Sequence, residues 1–268
     1  MTFNKEKQMK EELIQWPCAT YWDKPWNPIQ GCTPVSPACE HCYAKSFADR
    51  YKQSFSPHKT TRKSPPTKGV VFCGNATDLF GDWVDLGEDY IGKTLGHHDA
   101  EYLWLTKRPS NMVKAIKSGT EFIKGDNDGL FPFSNENLEN HLFGFTAENQ
   151  EWYDRRFEEF KEVFTMSGVN TWLSAEPLLG PINLRSNEVF ADCPYDMIPF
   201  KWVVVGCESG SNRRNCEIEW VESIVDQCRT NKVPVFVKQI CLPDGSFTNK
   251  IEDFPEHLRI RQVPWTKK

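Results

Sequence analysis

The chain has 268 residues, 39% of them hydrophobic and 13% aromatic, and a net charge of −5. That length suits one α/β domain. Ten Trp and eighteen Phe exclude disorder, and the acidic balance excludes a general polyanion binder. No uninterrupted apolar run reaches the roughly 18 residues that a membrane span needs. The opening MTFNKEKQMKEEL has no apolar run behind its charges and does not read as a signal peptide. Ten cysteines in such a chain point to a reducing, cytoplasmic setting, with thiols free or metal-bound.

In chain order, a first strand is expected around Trp26 to Gln30, made irregular by Pro25 and Pro28. A cysteine-rich loop follows, then a helix from Cys42 to Lys52. The basic stretch 58–68 reads first as a solvated loop broken by Pro65 and Pro66, with a phosphate-facing patch as the alternative. Apolar runs then recur: Val70–Cys73, Tyr102–Leu105, Leu142–Phe145, Thr171–Ser174, Trp202–Val205 and Val233–Val237. They are continuous rather than alternating, as strands covered on both faces are. Helices are expected at Asn111–Lys117, Glu151–Thr165 and Trp220–Thr230. Strand–helix alternation with about seven units predicts α/β architecture with a parallel sheet, as a complete or partial (β/α) barrel. We expect one domain over 1–268, with a core of about 24–241 and a C-terminal extension, 242–268.

Nearly every run ends in polar residues. In parallel α/β folds the C-terminal ends of strands are where sites are built. Asn75, Asp78, Lys107, Arg108, Glu148, Glu176, Glu208 and Lys238 are expected to converge on that rim. Any one of them alone reads equally well as a strand-end ion pair.

The most informative segment is Trp26 to Ala44, which holds Cys32, Cys39 and Cys42 in a C-x6-C-x2-C pattern with Tyr43 directly after. Three thiolates on one loop can grip one side of an iron–sulfur cluster. Such clusters normally take four cysteines, so three leave one iron open to a ligand. Three other readings stand beside this one: buried structural cysteines, a zinc site, and a disulfide framework. A structural zinc site wants a fourth ligand and usually a second CxxC, and only one is present; His41 lies inside it.

At this motif the sequence resembles the radical S-adenosylmethionine (SAM) superfamily. It departs from the usual C-x3-C-x2-C spacing in its first gap, and its aromatic residue follows the last cysteine. The segments WNPIQGC-x6-C-x2-CYA, ATDLF, WLTKRP, LSAEPLLGPI, VVVGCESG and VFVKQ also resemble the blocks of a phage-encoded radical-SAM-like family of unknown function, from about Trp26 to Gln239. The resemblance implies a [4Fe–4S] cluster on Cys32, Cys39 and Cys42, with SAM as second cofactor. It implies cleavage of SAM to a 5′-deoxyadenosyl radical that abstracts hydrogen from substrate. It also implies an electron donor such as flavodoxin or ferredoxin, and a nucleotide or modified nucleobase, as in phage DNA, as substrate. Arg213 and Arg214, with the 58–68 stretch, would then touch phosphates.

Under that resemblance Tyr43, Asn75, Thr77, Asp78, Lys107, Arg108, Glu148 and Ser209 are candidates to bind the cofactor. Asn75, Thr77 or Asp78 would meet the methionyl amino group, and Lys107 or Arg108 its carboxylate. Glu148 and Glu176 would hold ribose hydroxyls or a substrate donor. Glu176, Glu208 and Cys207 are candidates for the catalytic step, Cys207 as a hydrogen donor or else a plain core thiol. Cys73, Cys216 and Cys241 are spare thiols. A zinc-stabilised nucleic-acid-binding module without catalysis is the reading from another class, a peptide or small metabolite is the rival substrate, and a partner or scaffold protein with a degenerate site is the third.

Overall fold

A computed structural model describes residues 14–62, 64–84, 90–122, 138–164, 166, 169–184, 198–210 and 212–265. The opening segment 1–13, Lys63, the helix end expected at Thr165 and the last three residues lie outside the described residues. The apolar runs become strands, and the amphipathic stretches between them become helices. In order these are β1 (Ile14–Gln15), β2 (Lys24–Trp26), β3 (Ile29–Gln30), α1 (Tyr43–Arg50), β4 (His58–Lys59), β5 (Gly69–Cys73) and β6 (Ala100–Thr106). Then come α2 (Pro109–Phe122), β7 (His141–Thr146), α3 (Gln150–Phe164), β8 (Asn170–Ala175), β9 (Trp202–Gly206), α4 (Ile218–Thr230), β10 (Val235–Cys241), β11 (Phe247–Thr248) and β12 (Gln262–Val263).

The main sheet has eight strands in the order β2-β5-β6-β7-β8-β9-β10-β11. Every pairing in it is parallel except β10 with β11. The architecture is therefore mixed α/β around a mostly parallel sheet, as expected. Among the described residues no helix is long and apolar enough to cross a membrane.

The sheet's two faces bury different partners. On one face Trp104, Phe145, Val203, Val205 and Val237 pack with helix residues such as Met112, Phe157, Phe160, Ile224 and Val225. On the other, Phe72, Leu103, Leu142, Trp172, Trp202 and Phe236 meet Trp16, Tyr21, Val263 and Trp265 from the two ends of the chain. One ring, Tyr21, lies 6.1 Å from Phe72, 6.2 Å from Trp172, 5.1 Å from Trp202 and 5.3 Å from Phe236. Those partners stand on β5, β8, β9 and β10, so the sheet is bent about that ring. Gly144 makes room for Trp172: a Cβ there would lie 2.3 Å from its carbonyl oxygen and 2.6 Å from its indole Cδ1. The Trp172 indole donates to the carbonyls of Trp104 and Leu142, at 3.0 and 3.2 Å.

Two expectations are refined. The strand expected over Trp26–Gln30 is broken at Asn27-Pro28. β2 pairs with β5, whereas β3 leaves that sheet and pairs antiparallel with β4. Proline has no N–H for a ladder, and here it turns the chain out of the sheet toward the cysteines. The run expected at Val233–Val237 starts after Pro234 and continues to Cys241, with a register shift between Val237 and Gln239. Such a shift re-aims side chains next to sites, and it falls at Lys238. The segment after Cys241 packs into the body: Phe254, Leu258, Val263 and Trp265 are buried, and the Trp202 indole donates to the Gln262 carbonyl at 2.8 Å.

Candidate functional site

The parallel strands end on one edge, and a cavity of about 470 Å³ opens there. This lies within the roughly 300–1,000 Å³ usual for small-molecule sites. Cys32, Cys39, Cys42, Tyr43, Asn75, Thr77, Asp78, Lys107, Arg108, Glu176, Cys207, Glu208, Ser209 and Lys238 all line it. Glu148 does not join them. It is fully buried at 0% exposure, 2.6 Å from the Arg156 guanidinium of α3. Burial against that cation removes it from the ribose-binding or substrate role expected of it.

The cysteine loop begins with a forced turn. Gly31 has φ +84°, and a Cβ on it would lie 2.4 Å from the Ser56 carbonyl oxygen. Only glycine fits that left-handed close approach. The Cys32 N–H then donates to Phe55 O at 3.1 Å. Pro37–Cys39 forms one turn of 3-10 helix, and Cys42 caps α1. All three thiols are free of disulfides and partly exposed.

Two buried carboxylates hold this loop at its two ends. Asp78 accepts from the Thr106 hydroxyl at 2.9 Å, from the N–H groups of Phe80 and Lys107 at 3.0 Å, and from Arg108 at 3.3 Å. Arg108 in turn donates to Thr33 O and Thr33 Oγ1, at 3.0 and 2.9 Å, and lies over the Trp83 ring. At the far end Glu208 accepts from the Arg214 side chain at 2.5 Å and from its N–H at 2.8 Å. His41 Nδ1 lies 2.9 Å from the same carboxylate. Arg214 also reaches Pro37 O at 2.9 Å and Glu40 at 3.1 Å. Burial opposes ionisation of Glu208, but the hydrogen bonds from Arg214 and His41 outweigh it and hold its carboxyl below the ordinary value. The Arg214 guanidinium is raised, chiefly by its hydrogen bond to Glu208.

Several expected roles change in this light. Asp78 has its oxygens filled by protein donors, and Arg108 is committed to the loop. Thr77 donates to Gly31 O at 2.5 Å. Asn75 accepts from the Asn27 amide at 2.7 Å, and its carbonyl accepts from the Tyr43 hydroxyl. These four residues shape the loop. Arg214 likewise faces inward, and Arg213 is spent on Gly210 O, at 3.0 Å, and Gly245 O, so the pair does not form the expected phosphate-facing patch. Lys107 lines the cavity, and no ion-pair partner for its ammonium stands among the described residues. Of the two cations, it is the one left open to the cavity.

On the opposite wall Glu176 lies 3.1 Å from Lys238 Nζ, and Ser174 donates to it at 3.4 Å. Gly206 leaves space for that carboxylate, since a Cβ there would meet Glu176 Oε1 at 2.9 Å. Lys238 also lies over Tyr21, whose hydroxyl is pushed well above its ordinary value by burial and by the Glu176 charge. Burial raises the Cys32 thiol, the Asp78 charge adds to this, and Arg108 works against it. Cys207 is raised by burial and by Cys241 beside it, and Cys216 is pushed up to about 12 by burial, as befits buried thiols.

Sequence reasoning overlooked Tyr21, Ser174 and Gln239, which also line the cavity, and gave His41 and Arg214 no part in the loop. His41 could have been singled out by its place inside the CxxC; nothing in the pattern marks Tyr21.

The three thiols have the donor chemistry of an iron–sulfur site: soft, on one loop, and facing one cavity. Among the described residues, however, no group of three or more His, Cys, Asp or Glu side chains stands ready-made around a metal position. No curated protein and no solved structure matches the chain. Residues 17–251 match DUF5131, described as a protein of unknown function, and the chain belongs to that family.

Proposed function

We propose that the chain is a radical SAM enzyme, with a [4Fe–4S] cluster on Cys32, Cys39 and Cys42 and a nucleotide or nucleobase as substrate. The observation that carries this reading is the position of the three thiols: one loop, at the C-terminal ends of parallel strands, on the wall of a cavity of about 470 Å³. On this reading the bent sheet is the wall of a partial (β/α) barrel, with Tyr21 and the tryptophans as its filling.

When bound, the reduced cluster and SAM supply one-electron cleavage of the sulfonium to methionine and a 5′-deoxyadenosyl radical, which takes hydrogen from substrate. The chain's own residues bind and shield. The Asp78–Arg108 and Glu208–Arg214 clamps fix the loop ends, and the cysteines between them would hold the cluster. Lys107 receives the methionyl carboxylate as a point charge. The Tyr43 ring would flank the adenine. Glu176, held beside Lys238, accepts hydrogen bonds from ribose or substrate hydroxyls. An electron donor such as flavodoxin or ferredoxin supplies the reductant.

A zinc module would need a fourth ligand. His41, the histidine inside the motif, has its Nδ1 on Glu208, which leaves Nε2 as the ring nitrogen such a module would use. Anaerobic reconstitution tests the reading. The expected result is a brown protein, near four irons per chain by the cluster's stoichiometry, that forms 5′-deoxyadenosine under reduction, with Cys39→Ala inactive. A colourless zinc protein, or no 5′-deoxyadenosine from any iron-loaded preparation, overturns it.

A further inference from the structure

The helix after the cysteine loop exposes large aromatic side chains. Among the described residues, Tyr43, Phe47 and Tyr51 are the exposed large hydrophobic ones, at 56, 56 and 57%. They recur every four residues along α1 and its C-cap, which puts them on one face about 6 Å apart. The Phe47 and Tyr51 rings lie 4.6 Å apart, tilted by 48°. At the other end Tyr43 lines the cavity, so the stripe starts at the cavity mouth and runs outward.

A second observation is independent of the first. Residues 50–77 carry Arg50, Lys52, Lys59, Arg62, Lys63 and Lys68 and no Asp or Glu, in a chain whose net charge is −5. This segment flanks the same mouth. Its strand β4 pairs with β3 just before Cys32, Phe55 lines the cavity, and Arg50, Lys52 and Arg62 are exposed. The carboxylates nearest in sequence do not cancel it, since Asp49 is paired with Lys45 and Asp78 with Arg108.

We propose that this face binds a single-stranded polynucleotide, stacking successive bases on Phe47 and Tyr51 and neutralising its phosphates with the basic segment, so that one base is presented at Tyr43. Sequence-tolerant single-strand binding combines these two elements, aromatic platforms and a cationic track. A duplex keeps its base faces stacked on one another and has none to offer. An acidic protein would match the charge but leaves the row of aromatic faces without a use. This inference names the carrier of the substrate and rests on the proposed radical reading for its purpose, though binding itself needs neither cluster nor SAM.

The test is fluorescence anisotropy on the full chain, with labelled oligothymidylate, the matching oligouridylate and a DNA duplex. Single strands should bind, with affinity falling as salt rises. The two single-stranded arms tell DNA from RNA as the source. Phe47→Ala with Tyr51→Ala should weaken binding by about tenfold or more. Arg50→Glu with Arg62→Glu should weaken it comparably and flatten the dependence on salt. All four residues are exposed, and unchanged thermal melting verifies folding. The inference is overturned if wild type ignores both single strands, if the duplex binds equally well, or if neither double variant loses affinity. 5′-Deoxyadenosine formed by a chain that binds no oligonucleotide sinks this inference alone. Oligonucleotide binding without SAM cleavage sinks the radical reading alone.

Discussion

Glu148 and Glu208 occupy the same formal place, two residues past the ends of β7 and β9, and both are buried. Their surroundings differ. After β7 the chain enters α3 at Gln150 almost at once, so Glu148 is tucked beneath the helix against Arg156. After β9 a longer loop precedes α4, and that loop sends Arg214 back across Glu208 to the cysteines. One carboxylate fastens a helix to the sheet, and the other fastens the cysteine loop to the rim. Strand-end position alone did not tell them apart; the length of the following connection did.

The comparison can be broken most strongly at Glu148. Glu148→Ala leaves Arg156 charged at 1% exposure without its partner, and should lower unfolding free energy by about 3–5 kcal/mol in urea titration. Replacing both partners with Leu and Met should recover most of the loss, because apolar side chains of similar volume often substitute for a buried pair without cost. No recovery would assign the pair a role beyond packing.

Glu208→Gln should cost less, about 1–3 kcal/mol, because it weakens charged hydrogen bonds at the cavity edge rather than stranding a core charge. Its larger effect should be local. Freed at one end, the loop should expose Cys39 and Cys42 to alkylation several-fold faster than in wild type, while Glu148→Gln leaves that rate unchanged under conditions where the chain stays folded. Equal rates in both variants would remove the loop-fastening role.

A pH-dependent effect sharpens the picture of the helix-covered face. His141 stacks on Tyr102 and accepts or donates to Thr94 Oγ1 at 2.9 Å; burial, with His97 adding, lowers its pKa to about 3. The unfolded chain takes up that proton near pH 6.5, whereas the folded chain does so only near its lowered value. Its contribution is therefore complete above about pH 6.5 and lost as pH falls toward 3, at up to about 1.4 kcal/mol per unit. His141→Phe should flatten that slope between about pH 4 and 6. Melting curves across that range check it.

Much of this was legible in the chain. Continuous apolar runs marked six of the parallel strands to within a few residues, because strands buried on both faces need apolar residues at every position. The polar residues ending them marked the rim, and the C-x6-C-x2-C spacing marked the loop. Less legible was which rim residues remain open. Asp78 and Arg108 read as ligands but are occupied by Thr33, Thr106 and backbone donors, and Lys107 beside them is the one left facing the cavity.

The sequence alone determined the strand–helix alternation, the cysteine loop and the edge where a site forms, because periodicity and turn chemistry act between residues near one another in the chain. The tertiary structure alone decided that Tyr21, from a segment with no regular structure, sits at the centre of the bend. It also decided that Arg214 reaches back to Pro37 and that Glu148 turns away. Those are contacts between segments far apart in sequence. They depend on loop lengths and on which buried charge finds a partner, and no local pattern records either.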